Sequence, residues 1–353
     1  MAKLKCRVLL VEDDLEEKER CRRELDEVNQ CVESLLEYEL LVATTRGEAV
    51  EFLERNIVDC AILDLRIPSG KDEESRSHVG NEFLKMFLAE RAVPVVVHSG
   101  YTAEISNEVQ EYNVKTFEKI GGEYPEIFSW FESHAPLFRA MQAFRRRLME
   151  ETALIFQRSI LPHWKESEEY LEGDNHLLKI VYRQIVAHLG EQLILPLYDA
   201  PGHHLHEVYF RPPLREDRLH TGDIVRYDDA IYVIVTPQCN IANDYPDFFL
   251  LAKCKGIEAN VAKKNASKFA NQNVSISEHF LPPCGEDGPW MVEFKTVRSV
   301  PKVEKDVLLD SRIASITPQF IPNLIQRFSA YLGRQGQPSL SADQLMIFLG
   351  RMG

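Results

Sequence analysis

No stretch of this 353-residue sequence approaches the ~20 consecutive apolar residues that span a bilayer, so no membrane-spanning helix is expected. The opening residues, MAKLKCRVLLVEDD, start basic, but their apolar run is shorter than a signal core and acids follow at once. There is no C-x-x-C pair. The seven cysteines, Cys6, Cys21, Cys31, Cys60, Cys239, Cys254 and Cys284, are odd in number and scattered. That pattern fits free thiols in a reducing compartment and argues against a disulfide framework. A soluble cytoplasmic protein is the expectation. Positive charge is also short: 41 Lys+Arg against 55 Asp+Glu leave a formal net charge of −14. Most of the acidic excess falls in the first 120 residues, and the remainder is close to balance. No helix-turn-helix pattern and no basic footprint accompany it, so neither general nucleic-acid binding nor attraction to an anionic membrane is expected.

What is present begins with RVLLVEDD, Arg7 to Asp14: an apolar run driven into three acids. Clustered carboxylates at a strand tip repel one another unless a cation pairs with them. The next residues alternate between two patterns. Residues 15–39 read as a helix with an extra turn near NQCVESLLEY, then ELLVATT as a strand and RGEAVEFLERN as a helix. VDCAILDLRIP is a continuous apolar strand stopped by Pro68, followed by a long charged loop and the helix GNEFLKMFLAERA. VPVVVHSG is a strand, TAEISNEVQEYN a helix, VKTFEKI a fifth strand, and YPEIFSWFESH the start of another helix. Near-continuous apolar strands separated by helices predict a five-stranded parallel, doubly wound α/β sheet over 1–135. Ligands of such sheets bind beyond the carboxyl ends of the strands. There the sequence places Glu12 and Asp13, then Asp64, then Ser99, then Lys119. Two or three carboxylates suit a hard cation such as Mg²⁺. A carboxylate can accept a phosphoryl group, and an ammonium and a hydroxyl can hold the phosphoryl oxygens.

In order and placement these five positions resemble the receiver domain of two-component response regulators (CheY-like, flavodoxin-like fold). The resemblance covers about residues 5–135 and implies a sheet order 2-1-3-4-5. It implies an acid pair at Glu12 and Asp13, with Asp14 as a third acid, and Asp64 as phosphoacceptor. It implies Ser99 as switch hydroxyl and Lys119 as the phosphoryl-binding lysine. Mg²⁺ would be held by Glu12, Asp13, Asp64 and the backbone carbonyl of Arg66. It also implies a sensor histidine kinase or phosphotransfer protein as partner. The sequence departs from the family in having Ile120 after the lysine, where proline is usual, and Thr116 or Phe117 at the aromatic switch position.

Residues 136–199 read as a helical connector. One long periodic segment is broken near Pro136, a polar turn lies at KESEEYLEGDN, and a second helix carries Leu177, Ile180, Val181, Ile185 and Leu189 on one face. That face is expected to be buried against the C-terminal module or a second chain in a homodimer. The run Arg145–Arg147 reads as a solvated helix face. From 200 to 353 the pattern becomes alternating, with strands at HEVYFRPPL, GDIVRYDDAIYVIVTP, DFFLLAKC, PWMVEFKTV and VLLDSRIASIT and closing helices. A β-rich module, an SH3-like partly open barrel or curved sheet plus helices, is expected. His203, His204 and His206, with His220 and Cys239, are weak candidates for zinc. Cys239 alone is a weak candidate nucleophile, against the plainer reading of a buried structural thiol.

The sequence therefore supports a response-regulator-like signalling protein with a partner-binding output module that does not bind DNA. Two other readings stay open. One is a receiver used only as a docking surface within a multi-protein bacterial assembly, for example in antiviral defence. The other is a C-terminal hydrolase or nuclease gated by the receiver, with a cleft holding Cys239, a histidine and a cationic side chain.

Overall fold

The computed structural model describes residues 3–70, 74, 76–109, 112, 114–163, 174–194, 203–215, 217–244, 246–334 and 339–352. They form two compact units, Met1–Pro196 and Leu197–Gly353.

The first unit is built on strands β1 (Leu4–Val11), β2 (Leu36–Ala43), β3 (Cys60–Leu63), β4 (Val95–Ser99) and β5 (Lys115–Glu118), all parallel, in the order β2-β1-β3-β4-β5. The apolar runs divide by parity, as a pleated strand requires. Leu9, Val11, Ala61, Leu63, Val95 and Val97 face one core. Val8, Leu10, Cys60, Ile62 and Val96 face the other. Helices α2 (Arg46–Arg55) and α3 (Ser77–Glu90) cover the first face, through residues such as Leu53 and Phe83. Helices α1 (Leu15–Gln30) and α4 (Tyr124–Ser133) cover the second, through Leu25, Phe128 and Phe131. Burial on both faces is why these strands lack polar alternation.

Two expectations for this unit need correction. Helix α1 stops at Gln30, and β2 starts earlier, at Leu36. The Asn29 side chain bonds both backbone groups of Tyr38, accepting at 2.7 Å and donating at 2.9 Å. Glu132 accepts the N–H groups of Leu35 and Leu36. The end of the stretch that resembled an extra helical turn, Leu36 to Tyr38, is thus drawn into the sheet. The helix expected at TAEISNEVQEYN is replaced by two 3₁₀ turns, Thr102–Glu104 and Asn107–Val109. Asn81 of α3 grips this segment, donating to the Glu104 carbonyl at 2.9 Å and accepting from the Ser106 N–H at 2.8 Å.

Helix α5 (Ala135–Ile155) follows α4 after a break at His134, with Pro136 in its first turn. Its start belongs to the second core through Phe138. Further along it is fixed to the amino-terminal edge of the sheet. Gln142 donates to the Lys5 carbonyl at 2.8 Å, and Arg145 donates to the Val58 carbonyl at 3.2 Å and pairs with the buried Asp59 carboxylate. Arg145 is therefore an anchor, whereas Arg146 and Arg147 are exposed as expected. Helix α6 (Asp174–Ile194) leaves Ile180 exposed and Val181, Ile185 and Leu189 half-buried. The Leu177 side chain, and the expected polar turn up to residue 173, lie outside the described residues.

The second unit is a seven-stranded antiparallel sheet. It comprises β6 (Tyr209–Phe210), β7 (Asp223–Tyr227), β8 (Ala230–Ile234), β9 (Phe248–Gly256), β10 (Glu278–Leu281), β11 (Trp290–Pro301) and β12 (Arg312–Ile316). The order is β10-β11-β9-β8-β7-β12-β6, with β10 and β6 as unjoined ends among the described residues. It is thus an open sheet and not a closed barrel. Asp228 and Asp229 form the β7–β8 turn at φ +44° and +58°, the left-handed pair that suits a tight hairpin. Short helices α7 (Gln238–Ala242), α8 (Ala259–Lys264), α9 (Ala266–Ala270) and α10 (Lys305–Asp310) lie between strands, and α11 (Ile321–Leu332) and α12 (Ala342–Gly350) close the chain. The first half of VLLDSRIASIT is helix α10, because Leu308 turns into the core beneath Val225 and Ile234. Leu324 and Phe328 of α11 complete the core on the other face. Among the described residues of both units, no helix is long and apolar enough to cross a membrane.

Candidate functional site

The carboxyl-terminal edge of the parallel sheet gathers the residues that the sequence places there. Glu12 directly follows β1, and its N–H bonds the Ala43 carbonyl at 3.0 Å. Asp64 directly follows β3, with its N–H on the Val11 carbonyl at 3.0 Å. Backbone pairing therefore carries both carboxylates just past the sheet. Glu12 and Asp64 are buried, at 1% and 8% exposure. Lys119, after β5, reaches across with Nζ 2.6 Å from Glu12 Oε2 and 2.7 Å from Asp64 Oδ2. Its own N–H bonds the Ser99 carbonyl at 3.2 Å. Ser99 is fully buried, and its hydroxyl accepts the Tyr101 N–H at 3.3 Å.

The electrostatics follow from this geometry. Burial pushes the Glu12 carboxyl up to about 7; Lys119 opposes the shift and Asp64 reinforces it. Burial works against the charge on Lys119, but the Glu12 and Asp64 carboxylates outweigh it and raise its pKa. The site holds more negative charge than one ammonium balances.

Glu12, Asp13 and Asp64 bring one ligand atom each within 4.8 Å of one another, the one such cluster among the described residues. Three hard oxygen donors, two of them buried and one of these, Glu12, reluctant to ionise without a partner, fit a divalent cation of the Mg²⁺ class. Asp14 is not part of this set. Its carboxylate caps α1, accepting the N–H groups of Glu16 and Glu17 at 2.7 and 3.1 Å. The Arg66 N–H donates to Asp64 Oδ1 at 3.2 Å. The Arg66 guanidinium lies over the Tyr101 ring, 3.2 Å from its centroid, and pairs with Glu104 at 2.7 Å.

Sequence reasoning missed two residues beside this edge. His98 is buried one position before Ser99, and Glu123 opens α4; His98 Nε2 and Glu123 Oε2 are 3.2 Å apart. The one signal was an imidazole inside an otherwise β-branched strand.

The weak candidates do not converge. His203 pairs with Glu207 at 2.7 Å, and His204 accepts the His206 N–H at 3.3 Å while the two rings stack. These histidines serve an exposed turn and, among the described residues, join no cluster of three ligands. Cys239 is exposed on the short helix α7, which corrects the expectation of a buried thiol. A cavity of about 580 Å³ in the second unit is lined by His220, Thr221, Gln238, Ser315 and apolar side chains such as Ile321, and Cys239 does not line it.

No family model matches the sequence, and no curated protein matches it. Solved structures similar to the chain include a CheY-like response regulator receiver domain protein from Methanospirillum hungatei, 19% identical with a TM-score of 0.30, covering 39% of this chain and 99% of that one. Another is the signal receiver domain of an HD domain-containing protein from Pseudomonas fluorescens, at 15% identity and a TM-score of 0.32, covering 40% and 96%. A third is the N-terminal domain of a response regulator/sensory box/GGDEF protein from Carboxydothermus hydrogenoformans, at 16% identity and 0.30, covering 38% and 97%. These are likenesses of fold, to receiver domains, over about 40% of the chain. The strand order and all-parallel pairing give the first unit its doubly wound, receiver-type architecture independently of them.

Proposed function

We propose that the chain is a response-regulator-like signalling protein in which Asp64 accepts a phosphoryl group. The observation that carries this reading is the Asp64 carboxylate itself. It lies at the tip of the central parallel strands with the Lys119 ammonium 2.7 Å away and two further carboxylates clustered beside it. An Asp64 oxygen would attack the phosphorus of an acyl phosphate or phosphohistidine. The new O–P bond forms as the donor's bond to phosphorus breaks, and the donor carries off the electron pair. Glu12, Asp13 and Asp64, with the Arg66 carbonyl, would hold Mg²⁺. The ion would offset the charge that gathers on the phosphoryl oxygens. Lys119 supplies a fixed cation for one such oxygen, and the Ser99 hydroxyl a donor for another once the β4–β5 segment adjusts. A sensor kinase or phosphotransfer protein would be the donor, and the second unit would present the resulting state to a protein partner.

The test is intact-mass spectrometry after incubation with acetyl phosphate and Mg²⁺, with a competent receiver as control. Wild type should gain one phosphoryl group, and Asp64→Ala should gain none. An unmodified wild type would instead favour a docking role for this unit within a larger assembly.

A further inference from the structure

Lys119 leads into a loop with little to hold it. Gly121 and Gly122 adopt φ of +102° and +105°, and a Cβ built on either would meet nothing within 4 Å. Ile120 is 83% exposed. Such a loop is permissive, because glycine gives the backbone its widest freedom. Yet Lys119 Nζ rests on two carboxylates at 2.6 and 2.7 Å. On its upstream side the Lys119 backbone is held by its N–H on the Ser99 carbonyl at 3.2 Å; on the downstream, glycine side another group must fix it.

Glu123 is placed to do this. Its Oε1 accepts the Ile120 N–H at 3.2 Å, and its Oε2 faces His98 Nε2 at 3.2 Å. A carboxylate can only accept, so Nε2 carries the hydrogen. Burial lowers the pKa of His98, which keeps the ring neutral near pH 7. Among the described residues its Nδ1 has no hydrogen-bond partner, and the ring packs edge-on against Tyr124. The imidazole is therefore committed to one polar contact, the Glu123 carboxylate. Burial works against the charge on Glu123, but the hydrogen bonds from His98, its own N–H and Ile120 outweigh it and lower its pKa. The helix does not need this carboxylate: α4 opens with no side-chain cap, and Tyr124, Ile127, Phe128 and Phe131 supply its packing. The carboxylate turns away from its own helix and back to the loop.

We propose that Glu123 is a positioning residue for Lys119. Oriented by His98, it fixes the Ile120 amide and so delivers the Lys119 ammonium to Glu12 and Asp64. The effect on chemistry rests on the reading of Asp64 as phosphoryl acceptor; the effect on the position of Lys119 does not. Two readouts on the full-length protein separate these. In the first, acetyl phosphate loads wild type, E123A, E123Q, K119A and K119A/E123A. E123A should load about tenfold more slowly, the scale of a small misplacement of a reacting group. E123Q should recover most of the rate, since its amide oxygen still accepts the Ile120 N–H. E123A should add no slowing in the K119A background, because both changes act through one ammonium. In the second, the ¹H–¹⁵N signal of the Lys119 ammonium is followed without any phosphodonor. It should be protected in wild type and E123Q and lost in E123A. E123D, which keeps the charge but falls one methylene short, replaces E123A if alanine unfolds the protein. Independent, multiplicative slowing in the double variant overturns the proposal, as does an unchanged Lys119 signal in E123A. If wild type takes up no phosphoryl group, the acceptor reading falls and the ammonium signal alone decides the positioning role.

Discussion

Glu12 sets the pH response of the site. Its folded pKa is about 7 against an ordinary 4.5. Between those values the folded state holds a proton that the unfolded chain has released, so metal-free stability falls as pH rises through that window. The loss is on the order of 3 kcal/mol. Denaturant unfolding of the first unit from pH 4.5 to 8 should show it, and E12Q should lack this contribution over the same range. Mg²⁺ should remove most of the slope, because a bound cation takes the proton's place. The positions of Glu12, Asp64 and Ser99 were legible in the sequence because each ends an apolar strand, and Lys119 because it closes the fifth strand of the alternating pattern. Glu123 and His98 were not: they lie 25 residues apart, form no motif, and acquire meaning only when α4 folds back beside β4.

At the scale of elements, α3 packs closely against the segment after Asp64. A Cβ on Gly80 would stand 2.0 Å from the Leu65 carbonyl oxygen, backbone against backbone. Gly80→Ala should therefore destabilise the first unit by about 3 kcal/mol, the upper range for overpacking, in urea titration. Gly190→Ala is the control. A Cβ there meets nothing within 4 Å, and alanine in a helix should stabilise by up to about 1 kcal/mol. The second anchor is Arg145, which closes the buried Asp59 carboxylate. Arg145→Ala should cost about 2 kcal/mol and speed amide exchange in the second half of α5, while β1 and β3 stay protected. Element type was readable wherever periodicity matched burial. It failed at 102–109, where helical spacing was present, yet of the two 3₁₀ turns only Val109 is buried and side-chain bonds from Asn81 hold the backbone. In the second unit the alternation announced strands. The order β10-β11-β9-β8-β7-β12-β6 depends on distant pairings such as β12 with β7, which no local pattern encodes.

At the scale of the molecule, one buried group in each unit should answer acid in the opposite sense to the other. His279, buried on β10, has its pKa pushed down to about 4 by burial, with Arg327 adding to the shift. The unfolded chain binds its proton below the ordinary 6.5, so the second unit loses on the order of 3 kcal/mol as pH falls from about 6.5 to about 4. Over the upper part of that window the metal-free first unit gains stability through Glu12. Hydrogen exchange resolved by peptide, at pH 5 and pH 7 without Mg²⁺, should therefore show β10 and its neighbours losing protection on acidification, and His279→Gln should reduce that loss while E12Q should reduce the gain in β1–β5.

Helix α4 starts at the carboxylate that touches the loop after Lys119. It ends at His134, whose ring bonds the Trp130 carbonyl and lines a cavity with Pro94 and Asp59 at the opposite edge of the sheet. Its ten residues make a rod of roughly 15 Å, stiffened by Phe128 and Phe131 in the core. The first unit thus contains a strut across its depth, tied at the Lys119 end by Glu123 and the buried Tyr124 and meeting α5 at the break at His134. A strut carries displacement that a loop would absorb. A tilt too slight to notice at Glu123 would reach the joint nearly undiminished, and there it would load the bonds by which Gln142 and Arg145 tie α5 to the sheet edge.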